Sequence, residues 1–106
     1  MYVVIFRAKI RHLDAEYTRT AARMRELALT EFGCTSFQAL TEGADEVALS
    51  YWPDQESIRA WKAHPEHALA QQAGQQRWYD SYSVQIAEIG RQYAYPKQTP
   101  PTSKQP

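Results

Sequence analysis

The stretch EVALSYWPDQESIRAWKAHPEH, residues 46–67, decides the fold. Its first part alternates between apolar and small or polar residues and is rich in strand-forming side chains, which is typical of a strand. Pro53 ends that strand and opens a helix over roughly residues 54–62, on which Trp61 faces inward. The helix stops before Pro65, because the residue that precedes a proline avoids helical backbone. The stretch therefore predicts a strand followed directly by an amphipathic helix.

A third helix and a last strand are predicted downstream of this stretch. The third helix begins at Pro65, and Gly74 weakens its end. Alternation returns from Ser81 to Tyr93, which predicts the last strand. The segment YPKQTPPTSKQP, residues 95–106, is polar and rich in proline, so it is predicted to be a disordered tail. The folded domain is then residues 1–94.

The residues upstream of the stretch predict a strand, a helix and a hairpin. Residues 2–10 alternate and carry β-branched and aromatic side chains, which indicates a strand. An apolar stripe predicts a helix at 14–32, and Gly33 ends it as a left-handed cap. Residues 35–40 read as a second strand, and TEGAD, residues 41–45, supplies the turn that leads into the next.

The resulting order, β-α-β-β-α-α-β, is the ferredoxin-like split βαβ arrangement of the α+β class. It predicts an antiparallel four-stranded sheet with the helices on one face. The first strand is apolar on both of its faces, with Val4 and Phe6 on one side and Val3 and Ile5 on the other. A face in contact with water does not require Val3 and Ile5. We therefore expect a second copy of the chain to cover that face, which makes the protein a homodimer.

Composition excludes several classes of function. The 106 residues are enough for one domain, and 12 basic residues balance 12 acidic ones without any basic block. This pattern argues against nucleic-acid binding, which needs a clustered excess of positive charge. The first residues have neither a signal-peptide pattern nor an apolar run that could span a membrane. The single cysteine, Cys34, indicates a reducing compartment, so we predict a cytoplasmic protein without membrane contact.

The order of the elements, the length, residues 46–67 and the stretch RWYDSY at 77–82 resemble the antibiotic biosynthesis monooxygenase family. The resemblance covers roughly residues 1–93 and implies a dimeric α+β barrel in which two sheets pack face to face. It also implies a pocket in each subunit between the sheet and the helices. An oxidoreductase activity is implied in turn, the oxidation of a small aromatic phenol or quinol by molecular oxygen without flavin, haem or metal.

A haem-degrading branch of the same superfamily has a pattern that can be compared with this chain. That pattern has an asparagine late in the first strand, a tryptophan on the second helix and an axial histidine ten residues after it. Trp61 matches the tryptophan, but Gln71 stands at the histidine position and the first strand has Arg7 and no asparagine. Haem degradation is therefore not predicted.

An oxygenase without a cofactor needs a base that takes the proton of the substrate hydroxyl. His64 and His67 are the candidate catalytic residues, because they are the histidines close to the aromatic stretch. The structural alternatives are a helix-entry residue for His64 and a surface position in the first helical turn for His67. No metal site is predicted, because the two histidines lack the further ligands that zinc requires.

The candidate substrate-binding residues are aromatic. They are Trp52, Trp61, Trp78 and Tyr82. Aromatic walls stack on a planar ligand, but core packing also explains Trp61, and Trp78 can pack a helix against the sheet edge. Trp52 ends its strand and could face either the pocket or the partner subunit. The absence of a clear acid–base constellation leaves a second hypothesis open, a non-catalytic dimer that binds a small hydrophobic ligand.

Arg7 is an unusual polar residue in the middle of the first strand. If its face is the dimer side, we expect it to pair with an acidic residue such as Glu46 or Glu88. If its face is the helix side, it could hold an anionic substrate. The structural role of Arg7, pairing with an acidic residue, is favoured.

Overall fold

A computed structural model describes residues 1–97 of the chain. Its elements occur in the predicted order, and a short π-helical turn is inserted before the last strand. The bounds are β1 Tyr2–Ile10, α1 Ala15–Glu31, β2 Ser36–Glu42, β3 Asp45–Trp52, α2 Gln55–Ala63, α3 Pro65–Ala73, the π-helical turn Gly74–Trp78 and β4 Tyr79–Glu88. The predicted ferredoxin-like α+β fold is confirmed.

The four strands form one antiparallel sheet in the order β2-β3-β1-β4. Because strand residues alternate between faces, the register assigns every side chain to one of two sides. Val4 and Trp52 belong to the side on which the helices pack, since they share a core cluster with Leu27 of α1 and Ile58 of α2. We call this the helix face and the opposite side the outer face.

Side-chain caps fix the starts of the first two helices. Asp14 accepts a hydrogen bond from the backbone N–H of Tyr17 at 2.8 Å, and Asp54 accepts one from Ser57 at 2.7 Å. Each cap satisfies a backbone donor that would otherwise have no partner at a helix start. Gly43 closes the β2–β3 hairpin with φ of 58°, a conformation that favours glycine.

The core consists of two clusters on the helix face. One is centred on Trp52, Leu27 and Ile58, each at most 1% exposed. The other is built around Ala8, Trp78 and Tyr79, where β1 meets β4. Residues of both clusters line the cavity described below.

The last strand differs from its prediction of 81–93, because β4 begins at Tyr79 and ends at Glu88. Tyr79 already pairs with Ile10, so the strand starts directly after the π-helical turn. At the other end Glu88 pairs with Tyr2, the first residue of β1, and pairing stops where its partner strand stops. In the predicted tail of residues 95–106, positions 98–106 lie outside the described residues, and disorder there stays a prediction.

The predicted partners of Arg7 are also wrong. Arg7 lies on the outer face and its Nη1 donates to Gln85 Oε1 at 3.3 Å. Glu46 pairs with Ala8, and Glu88 pairs with Tyr2, so both carboxylates lie on the helix face. The same geometry removes the alternative role, since a side chain on the outer face does not reach a ligand bound between sheet and helices.

Candidate functional site

A cavity of about 190 Å³ lies between the helix face of the sheet and helices α1 to α3. Its walls are mainly apolar and aromatic, and the residues that line it include Val4, Phe6, Met24, Phe37, Trp61 and Trp78, together with the basic Arg25 and Lys62. Apolar pockets with a few polar side chains are the usual form of small-molecule sites. This cavity is therefore the candidate functional site.

Four of the six residues predicted from the sequence line the cavity. They are Trp61 on α2, His67 on α3, Trp78 at the end of the π-helical turn and Tyr82 on β4. The fold brings them together because each lies on the side of its element that faces the space between sheet and helices. Their roles as base and as substrate-binding residues stay predictions.

Trp61 and His67 form a pair in the wall of the cavity. Their ring centroids are 4.4 Å apart and the planes meet at 82°, an edge-to-face arrangement. The Trp61 indole N–H donates to the backbone oxygen of Met24 at 3.2 Å, which fixes the orientation of the ring. The imidazole is thus packed against a side chain that cannot rotate freely.

His67 carries the one buried polar side-chain atom that lacks a hydrogen-bond partner among residues 1–97, its Nδ1. Burial lowers the pKa of His67 below its ordinary value, and the positive charge of Lys62 acts in the same direction. The imidazole is therefore neutral at pH 7, and a neutral imidazole has one nitrogen that can accept a proton.

The phenol of Tyr82 is held in place by two glutamine side chains. Its oxygen accepts from Gln75 Nε2 at 2.9 Å and from Gln71 Nε2 at 3.4 Å. Neither contact uses the hydroxyl hydrogen, so Tyr82 can donate to a ligand. Gln71, the residue at the position of the axial histidine in the haem pattern, also lines the cavity.

The other two predicted residues do not line the cavity. His64 is the cap of α3, and its Nδ1 accepts from the backbone N–H of Glu66 at 3.1 Å. Its ring lies edge-on to Phe32. Trp52 is fully buried in the core, and its indole N–H donates to Ser50 Oγ at 2.8 Å. The helix-entry position considered for His64 matches the structure, whereas Trp52 lies in the core and faces neither the cavity nor the outer face.

A polar cluster that sequence reasoning missed lies in the same cavity wall. Glu46 on β3 is only 5% exposed and takes hydrogen bonds from two phenols. The Tyr17 hydroxyl lies 2.9 and 2.8 Å from its two oxygens, and the Tyr79 hydroxyl lies 3.3 and 3.5 Å from them. We call these three residues the carboxylate cluster. All three line the cavity.

The tyrosines of this cluster stay protonated. Burial raises the pKa of Tyr17 to about 12, and the neighbouring Glu46 adds to the rise. Burial and the same carboxylate raise the pKa of Tyr79 well above its ordinary value. Both phenols are therefore hydrogen-bond donors and the carboxylate is their acceptor. The available sequence signal was the place of Glu46 in a strand, on the same side as Ala48 and Ser50.

Within residues 1–97 no helix is long and apolar enough to cross a membrane. The cytoplasmic location stays a prediction. The described part of the chain also holds no group of three or more His, Cys, Asp or Glu side chains arranged as metal ligands.

A sequence model of the family described as antibiotic biosynthesis monooxygenase matches residues 1–73. The chain is 33% identical over 99 residues to the uncharacterized protein YqjZ of Bacillus subtilis strain 168, and the match covers 92% of the chain and 87% of that protein.

Two solved structures show the same fold. The crystal structure of SnoaB, a cofactor-independent oxygenase from Streptomyces nogalater, matches with a TM-score of 0.72 at 16% identity, over 86% of this chain and 94% of that one. The structure of Rv0793 from Mycobacterium tuberculosis matches with a TM-score of 0.73 at 14% identity, over 88% and 98%.

Proposed function

The chain belongs to the antibiotic biosynthesis monooxygenase family, and from this premise we propose that it is a cofactor-independent monooxygenase. It oxidises a small aromatic phenol or quinol with molecular oxygen. The observation that carries this proposal is the aromatic cavity with the neutral imidazole of His67 in its wall. The likeness to SnoaB, which is described as a cofactor-independent oxygenase, supports it at the level of the fold.

The size of the cavity favours a small substrate. An apolar protein cavity of roughly 150 Å³ binds one benzene molecule. The space of about 190 Å³ therefore admits a ligand of one or two rings. Trp61 and Trp78 provide the aromatic surfaces against which such a ring packs.

The proposed chemistry begins with proton transfer. The substrate hydroxyl gives its proton to the unprotonated ring nitrogen of neutral His67, and the electron-rich phenolate stays in the cavity. The phenolate then reduces molecular oxygen. One oxygen atom enters the ring and the other leaves as water, so a quinol becomes a hydroxylated quinone and no external reductant is consumed. The apolar walls limit the access of water to the anion and to reactive oxygen species.

The outer face of the sheet supports the proposal of a homodimer. It carries Val3 and Ile5 of β1 beside Val47, Leu49 and Tyr51 of β3. Val3 is only 9% exposed, and the other four side chains are half-buried, while the helices pack on the other face. A second copy that packs its own outer face there would bury both surfaces, which is the arrangement of a two-fold symmetric dimer.

A non-catalytic dimer that binds a small hydrophobic ligand is the second candidate. It is favoured by one observation, namely that His67 Nδ1 has no partner in the described part of the chain. Catalytic bases are usually oriented by a further hydrogen-bonding group. A ligand carrier needs the aromatic walls of the cavity but not the base.

Oxygen consumption distinguishes the two candidates. The protein is mixed with a panel of quinols in buffer that contains a metal chelator and no flavin. The monooxygenase is supported if oxygen uptake exceeds autoxidation and equals the amount of hydroxylated quinone formed, without release of hydrogen peroxide. Saturable quinol binding with uptake no faster than autoxidation would support the carrier.

A further inference from the structure

The carboxylate cluster of Glu46, Tyr17 and Tyr79 has a feature that neither core packing nor the proposed base explains. Glu46 is buried beside the cavity, and within residues 1–97 it forms no salt bridge with a basic side chain. A buried carboxylate is costly unless hydrogen bonds compensate for lost hydration. A buried carboxylate such as that of Glu46 therefore needs hydrogen-bond donors for its oxygen atoms.

The hydrogen bonds within the chain fill only part of this capacity. The two oxygens of a carboxylate offer about four lone-pair sites. Each phenol has a single hydrogen to donate, so Tyr17 and Tyr79 supply two donors at most. The contacts of Tyr79 are also long, at 3.3 and 3.5 Å. Glu46 therefore keeps acceptor capacity in a wall of the cavity.

The cluster is held by elements on several sides. Tyr17 projects from α1, Glu46 from β3 and Tyr79 from the start of β4. Gly74 in the π-helical turn allows the Tyr79 ring to approach, since a Cβ at Gly74 would lie only 3.1 and 3.2 Å from two ring carbons. The ring of Tyr17 packs edge-on against Trp78 at 5.3 Å. The acceptor is thus preorganised rather than mobile.

We propose that Glu46 is the specificity-determining acceptor for a hydroxyl group of the aromatic ligand. The cavity then selects aromatic compounds that carry a hydroxyl group over the corresponding ethers. The ligand class rests on the proposed function, and the new element is the residue that recognises the hydroxyl group. A site built to bond a hydroxyl leaves its own polar group unpaired when the hydroxyl is absent.

Calorimetric titration without oxygen tests this inference, because binding is then measured without turnover. The probes are menadiol and its dimethyl ether, which share the two-ring body and differ in the polar group. A hydrogen bond to a charged group implies that menadiol binds about ten- to a hundredfold more tightly than the ether.

Two matched variants test whether Glu46 causes the preference for menadiol. Glu46→Gln keeps the size of the side chain and removes its charge, so the preference for menadiol over the ether should shrink. Glu88→Gln removes the same charge from an exposed position on the helix face of β4 and should leave this preference unchanged. Equal affinity of wild type for menadiol and the ether, or an unchanged preference in Glu46→Gln, overturns the inference.

The outcomes separate this inference from the proposed function. If the protein binds menadiol more tightly than the ether but consumes no oxygen, the role of Glu46 stands and the monooxygenase activity is overturned. If the protein consumes oxygen but binds both probes equally, the enzyme stands and the role of Glu46 is overturned. If the folded protein binds neither probe, both are overturned. The wild-type comparison requires no variant, so it decides the question even if Glu46→Gln does not fold.

Discussion

The hydroxyl of Tyr17 on α1 lies within 2.9 Å of both oxygens of Glu46 on β3. This contact joins a helix to the sheet through a buried carboxylate, beside the cavity that carries the proposed chemistry. Because the contact is both structural and close to the ligand site, the stability of the protein and the shape of the cavity depend on the same pair.

Removal of the Tyr17 hydroxyl should destabilise the protein. Tyr17→Phe leaves Glu46 with only the longer contacts of Tyr79, and a buried polar group that loses its partner costs about 1–3 kcal/mol. The free energy of unfolding is measured by urea denaturation. Tyr82→Phe is the control, because the partners of that hydroxyl are exposed glutamines and its loss should cost less. Equal stabilities for the two variants would contradict the role of the Tyr17 hydroxyl as the main hydrogen-bond donor to Glu46.

A methyl group at Gly74 should be unfavourable although the residue is helical. Alanine ordinarily stabilises a helix by about 1 kcal/mol relative to glycine. At Gly74 the added Cβ meets the Tyr79 ring, and such overpacking costs about 1–3 kcal/mol.

Gly90→Ala is the matched control for this variant, because no atom lies within 4 Å of the position of its Cβ. Thermal unfolding followed by circular dichroism compares the two. A Gly74→Ala protein that melts at or above the wild-type temperature would show that the ring can move aside.

Loss of the imidazole of His67 should reduce turnover. If this residue is the base, His67→Gln lowers the rate of quinol oxidation by a factor of about 10²–10⁴ near neutral pH. Because burial lowers the pKa of His67, wild-type activity should persist somewhat below pH 6.5 and fall only when the neutral ring gains a proton. Oxygen uptake measured across pH gives both results. An unchanged rate in a folded His67→Gln protein would exclude this residue as the base.

The same histidine makes stability depend on pH in a defined direction. Its pKa in the folded protein is below the unfolded value of about 6.5, so the unfolded chain binds the additional proton first. The free energy of unfolding is not reduced by His67 at pH values above the unfolded-state pKa. It declines as the pH falls through that pKa towards the lower pKa of the folded state. The decline should be smaller in His67→Gln and unaltered in His12→Gln, an exposed control. Urea denaturation at several pH values measures the slopes, and identical slopes in all three proteins would contradict the buried neutral imidazole.

The outer face should hold the dimer together. Light scattering is expected to give about twice the chain mass of 12.2 kDa. Leu49→Glu places a charge in the centre of the apolar surface and should yield monomers, because an unpaired charge is costly to bury. Leu69→Glu adds the same charge at a leucine that is 65% exposed on α3 and should leave the mass unchanged. A wild-type monomer would remove the dimer proposal.

The order of strands and helices was predictable because local periodicity reports which side of each element is apolar. The family resemblance implied a pocket, and the candidates Trp61, His67, Trp78 and Tyr82, chosen for their chemistry and their place near the aromatic stretch, do line one cavity. The prediction failed for Trp52, since an inward-facing aromatic residue has the same pattern whether it fills the core or lines a pocket.

Glu46 was missed for a different reason. A charged residue at the start of a strand is ordinarily exposed, and the burial of this one depends on phenols that are 29 and 33 residues away in the chain. The π-helical turn was missed too, because its residues continue the pattern of α3 and place the start of β4 two residues before the predicted Ser81. Contacts of this kind arise from tertiary packing, which local periodicity does not describe.

The distribution of the three tryptophans has an optical consequence. Trp61 and Trp78 line the cavity, and Trp52 is fully buried with its ring centroid 5.2 Å from that of Trp61. At this separation excitation passes readily between the two indoles, so a quinone that enters the cavity can quench emission from both. Quenching then signals occupancy, whereas a red shift of the emission signals exposure of Trp52 on unfolding. The protein thus carries an intrinsic fluorophore set that separates ligand binding from loss of structure without any added label.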